Sequence, residues 1–70
     1  MKDTQINKIA DNLKKLRSEK ELSLERVARL ADLSLNTIVK IEKGVNTNPT
    51  IETLTKLAKS LEVGVDDLIK

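Results

Sequence analysis

Near the middle of the chain an amide and two ammonium groups recur at helical spacing, as Asn36, Lys40 and Lys43. At about 100° per residue these three point away from Ile38 and Ile41, with Leu35 and Val39 on their flank. Such a side carries donors, an amide that both donates and accepts, and little acid. Those are the materials for the major groove of DNA: an ammonium can donate to guanine O6 and N7, and an amide can pair with adenine or hold a phosphate. Other chemistries lack their reagents. The chain has no Cys and no His, so disulfides, thiolate metal sites, thiol nucleophiles and the usual neutral-pH base are excluded. Phe, Tyr and Trp are also absent, which argues against modules that stack unpaired bases on aromatic rings. Asp66 and Asp67 have no catalytic partner nearby in the sequence. No enzyme, metal, cofactor or small-molecule ligand is expected.

The elements that must present this face read as helices throughout. Gly occurs twice and Pro once, too rarely for an all-β chain with many turns. Ile6, Ile9, Ala10, Leu13 and Leu16 follow i, i+3, i+4, i+7 spacing, which predicts a first helix from about Thr4 to Lys20, capped by Asp3 or Thr4. Ser23 caps a short second helix through Leu24, Val27, Ala28 and Ala31, with Leu22 packing inward before it. After Asp32-Leu33-Ser34, a third short helix runs from Leu35 to about Lys43 and stops at Gly44, a residue that accepts left-handed geometry. The polar run from Val45 to Pro49 is a loop. Thr50 caps a fourth helix with Ile51, Leu54, Leu57, Ala58 and Leu61 on its buried stripe. Val63-Gly64 ends it, and a short fifth helix starts at Val65 with Asp66 and Asp67 at its positive end. Lys14, Lys15, Lys20, Arg26 and Arg29 read as solvated faces.

Ser23 to Gly44 is the informative stretch. Two short helices joined by about three residues, with small Ala28 allowing close approach and Leu33 filling the turn, describe a helix-turn-helix. Here the chain resembles a known family over about residues 9–69. Arg17, Leu22-Ser23, Val27-Ala28, Ser34, Thr37-Ile38, Ile41-Glu42-Lys43-Gly44, Asn48-Pro49, Leu54, Leu57-Ala58 and Leu61 are similar, in register, to the Cro/C1-type helix-turn-helix of phage repressors and xenobiotic-response-element regulators. The resemblance implies an all-α, compact five-helix, lambda-repressor-like domain that binds double-stranded DNA, usually as a dimer.

Carried over position by position, the resemblance places Leu35, Asn36 and Lys40 at base edges, with Thr37 and Val39 beside them. It places Ser23, Leu24, Lys43, Asn46, Thr47 and Asn48 near phosphates, although the last three are also ordinary turn formers. Arg17 and Glu42 match a partly buried pair tying the first helix to the third, with the arginine also near a phosphate. Val63, Val65, Leu68 and Ile69 match the two-fold contact, with Glu62 or Lys70 at its rim. Some positions depart from the pattern. Leu24 replaces a frequent Gln and Leu35 stands where polar residues are usual, so these two leucines are expected to form an apolar patch against thymine methyl groups. Asp32 and Glu62 stand where the family often has Gly; Asp tolerates left-handed geometry moderately and Glu less well.

With 13 Lys+Arg against 11 Asp+Glu the formal charge is only +2 over 70 residues. Residues 1–48 carry 10 positive and 7 negative charges, whereas residues 49–70 carry 3 and 4, so the modest excess sits with the DNA-facing part. Ile, Leu and Val number 22, enough for one aliphatic core, and a domain of this size gains from a partner copy. The expectation is a single domain over residues 1–70: a cytoplasmic, homodimeric repressor of a palindromic operator, with no sensor domain, no signal peptide and no membrane span. The alternatives are a restriction–modification controller acting as activator, and a protein-interaction module such as an antitoxin.

Overall fold

The apolar spacing of the sequence is realised in a computed structural model that describes residues 4–46 and 48–70, with side chains from residue 8 onward. The expected cap by Asp3 or the Thr4 side chain, the inward side chain of Ile6 and the phosphate contact at Thr47 lie outside what is described. Five helices follow in order: α1 (Thr4–Glu19), α2 (Leu24–Ala31), α3 (Leu35–Glu42), α4 (Ile51–Leu61) and α5 (Val65–Ile69). No strand occurs among the described residues.

The starts of the three middle helices are set locally. Ser23, Ser34 and Thr50 each hold extended backbone geometry, and each hydroxyl accepts the amide three residues on, from Arg26, Thr37 and Thr53. Each such cap is worth about 1 kcal/mol against alanine. At α5 the cap works in reverse: Gly64 has no side chain to offer, and its amide donates to Asp67 Oδ2 at 3.1 Å.

The ends of α1 to α4 share one device. At each, a residue turns left-handed, its amide bonds back three residues and the next amide bonds back five. The left-handed residues are Glu21 (φ 55°), Asp32 (57°), Gly44 (78°) and Glu62 (59°). The long bonds run from Leu22 to Arg17, Leu33 to Ala28, Val45 to Lys40 and Val63 to Ala58, all within 3.0 Å. Left-handed backbone costs a non-glycine residue about 1–2 kcal/mol. In the three glycine-free cases the next residue is Leu22, Leu33 or Val63, each packed against the core. Burial of such a side chain, about 1.5–3 kcal/mol when complete, offsets the strain. Gly44 needs no such compensation, and Val45 after it is exposed.

Packing closes the helices into a ring: α1 meets α3, α3 meets α2, α2 meets α4, α4 meets α5, and α5 returns to α1. Leu13, Val27, Ile38, Ile41, Leu57, Leu61 and Leu68 fill the centre and are essentially inaccessible. Asn12 seals the last contact, its Nδ2 donating to the carbonyls of Leu68 (2.8 Å) and Lys70 (3.1 Å). Two expectations need correction. Ile51 is 70% exposed rather than buried, because it opens the first turn of α4, ahead of the stripe that begins at Leu54. Leu68 is not a free surface residue but fully buried; it is the one fully buried residue of a five-residue helix and is consumed by the protomer's own core.

Candidate nucleic-acid interface

The face presented by α3 depends on how firmly the helix is held from below. Ile38 and Ile41 are buried in the core, and Glu42 at the helix end is only 9% exposed. A carboxylate at that depth must be paired, and Arg17 of α1 supplies the partner side-on. Nε donates to Oε1 at 2.9 Å and Nη2 donates to Oε2 at 2.8 Å. Nη1 donates to the carbonyl of Leu22 at 2.9 Å, so one guanidinium joins α1, the turn after it and α3. Hydrogen bonding to Glu42, aided by its charge, raises the Arg17 pKa against the opposing effect of burial.

Above this anchor the outward arc of α3 is open. Asn36, Lys40 and Lys43 are exposed, Thr37 and Val39 partly so, and Leu35 is 41% accessible. The Thr37 hydroxyl lies 2.8 Å from Ser34 Oγ, which also accepts the Thr37 amide. Both hydroxyls of the first turn are therefore engaged with one another.

Around α3 lie the other expected contacts. Ser23 is exposed at the start of α2; it takes the Arg26 amide on Oγ and the Val27 amide on its carbonyl. The Leu24 and Glu25 amides remain without a partner within the helix, a geometry suited to a phosphate oxygen. Leu24 is half-buried and packed against the core, so less of it is available to a ligand than of Leu35. Beyond Gly44, the Val45 and Asn46 amides both donate to the Lys40 carbonyl, at 2.9 and 3.0 Å. Asn46 Oδ1 accepts the Asn48 amide at 3.1 Å, so the turn-forming role of Asn46 is occupied, while Asn48 stays exposed.

The residues matched to a two-fold contact are divided. Val63 and Val65 are partly buried against the core, Leu68 is spent within it, and Ile69 is half-exposed. Lys14, Lys15, Lys20, Arg26 and Arg29 are exposed. Three features escaped the sequence reading: the third bond of Arg17, the left-handed Glu21 and the Asn12 tie to α5. Asn12 did carry a signal, since Asn is a poor mid-helix residue and stands beside Leu13 and Leu16 on the inward side.

Among the described residues no cluster of Asp or Glu could hold a metal ion, and no helix is long and apolar enough to cross a membrane. A helix-turn-helix family model matches residues 13–68. The HTH-type transcriptional regulator DdrOP3 of Deinococcus deserti is 36% identical over 63 residues, covering 90% of this chain and 48% of that protein. SinR of Bacillus subtilis, also an HTH-type transcriptional regulator, is 34% identical over 61 residues, 87% of this chain and 55% of its own. The chain thus spans about half the length of these curated relatives. The crystal structure of the restriction-modification controller protein C.AhdI from Aeromonas hydrophila superposes with a TM-score of 0.87 at 29% identity, covering 94% of this chain and 98% of that one.

Proposed function

The chain belongs to the Cro/C1-type helix-turn-helix family of DNA-binding transcriptional regulators, and on that premise we propose that it is a sequence-specific repressor acting as a homodimer. Each protomer lays α3 in the major groove of one operator half-site, and the pair blocks polymerase by occupying the site. Its place of action is the cytoplasm, with the DNA. The family is one of DNA binders rather than enzymes, and the reading assigns the chain no catalytic step.

One observation carries the reading: Asn36 and Lys40 stand exposed on a helix whose opposite side is locked by Ile38, Ile41 and the Arg17–Glu42 pair. Lys40 is assigned to guanine and Asn36 to adenine or a phosphate. Leu35, Thr37 and Val39 lie alongside. Lys43, Ser23, the spare amides of α2, Asn48 and the free hydrogens of Arg17 are assigned to the sugar–phosphate strands. Ile69, with the accessible parts of Val63 and Val65, carries the two-fold contact.

Selection of duplexes from a random pool by the whole chain tests this directly. The expected result is a symmetric motif with half-site centres about 34 Å apart. Lys40→Ala should then cost about 1–3 kcal/mol of discrimination at one base position in each half-site. No enrichment, with α3 substitutions instead abolishing a protein contact, would replace this reading by that of a protein-interaction module. The near-complete match to a restriction-modification controller favours a second reading within the same class, in which this chain activates rather than represses. A reporter placed behind the selected motif separates the two by the sign of its response.

A further inference from the structure

The outward arc of α3 is divided lengthwise. Residues four apart on a helix are neighbours, so Leu35 and Val39 form one row and Asn36 and Lys40 another beside it. The first row is wholly aliphatic and the second wholly polar, and Leu35 is the only residue of α3 among the exposed large hydrophobics. At the start of the helix the Ser34 and Thr37 hydroxyls share one hydrogen bond. Leu24, the other leucine expected in such a patch, is packed down on the core.

We propose that the Leu35–Val39 row reads the 5-methyl groups of thymines in the operator, while the Asn36–Lys40 row reads the purine edges next to them. This rests on the DNA-binding reading above and deepens it. The thymine methyl is the one apolar group on the major-groove edge of the four bases. An aliphatic side chain offers it burial and nothing else, so the row distinguishes thymine from cytosine and from uracil without a hydrogen bond. Leu35 leads because the first residues of a recognition helix reach deepest toward base edges, and Val39 lies one turn further along the groove.

The test uses the duplex selected by the unaltered chain, with each thymine exchanged in turn for deoxyuridine. At one or two positions per half-site the exchange should weaken binding about fourfold, the worth of one buried methyl group. In Leu35→Ala that difference should vanish at the position nearest the start of α3, with the helical circular dichroism spectrum unchanged because the residue lies outside the buried core. In Lys40→Ala the thymine–uracil difference should persist. Tight binding with no uracil effect at any position overturns the assignment and leaves the regulator reading standing, as does an effect that survives in Leu35→Ala and Val39→Ala alike. Failure to select any duplex overturns both.

Discussion

Glu42 and Asp67 are both carboxylates, yet burial gives them different work. Glu42 sits at 9% exposure with both oxygens taken by Arg17. Its removal in Glu42→Ala strands a partly buried guanidinium and should cost about 2–3 kcal/mol, somewhat under the range for a fully buried pair. In a domain whose total stability is about 5 kcal/mol, that loss should be plain in a urea midpoint. Asp67 is only partly covered, its side chain 40% accessible, and its pKa lies below the ordinary 3.8, chiefly because it accepts the Gly64 amide and secondarily because of Lys70. A lowered folded-state value means the stabilisation is complete above pH 3.8 and fades as pH falls through the lower folded value. Thermal melts of the parent and Asp67→Asn should therefore differ near neutrality and converge in strong acid; a gap that widened below pH 3.8 would contradict the assignment. The Arg17–Glu42 pair was legible in the sequence only through family resemblance, because nothing local links residues 25 positions apart.

At the scale of the element, starts were easier to read than ends. The caps at Ser23, Ser34 and Thr50 follow from a hydroxyl three residues ahead of an amide, a relation contained within one turn. Helix ends at Glu21 and Glu62 offered no glycine to mark them; they are held by the inward pull of Leu22 and Val63, which only the packed core reveals. The same limit explains Ile51 and Leu68. Periodicity tells which side of a helix is apolar, but how far neighbouring helices reach along it is a tertiary property. The strained ends lead to a direct expectation. Glu62→Gly should raise stability by about 1 kcal/mol by removing the left-handed penalty, and so raise Tm by about 4–8 °C. Asp32→Gly should give a smaller gain, because Asp tolerates that geometry better. Calorimetry of the two variants would show an error in this account if Asp32→Gly gained more.

For the whole molecule the governing quantity is charge. A formal +2 is slight for a protein that draws affinity from phosphates, so the distribution must compensate for the total. The assigned phosphate contacts use helix amides, Ser23 and Asn48 alongside Lys43 and an Arg17 already paired with Glu42, and amides release no counterions. The affinity should thus fall with salt less steeply than the number of strand contacts implies. Lys43→Ala should make the log–log slope shallower by about one per protomer, and an unchanged slope would remove Lys43 from the backbone contacts. Affinity of this kind also places weight on pairing two protomers, for which Ile69 is the most accessible of the assigned residues.

The hydrogen bonds from Asn12 to the carbonyls of residues 68 and 70 bridge 56 and 58 positions of sequence, and they impose an order on assembly at the ribosome. Contacts between distant parts of a chain form late, because the intervening loop must first be closed. The α2–α3 pair emerges early and can dock at once, and Arg17 can reach Glu42 soon after. Asn12 must wait until the last turn of α5 has left the exit tunnel. A nascent chain would therefore present α3 before the first helix is fastened along its whole length.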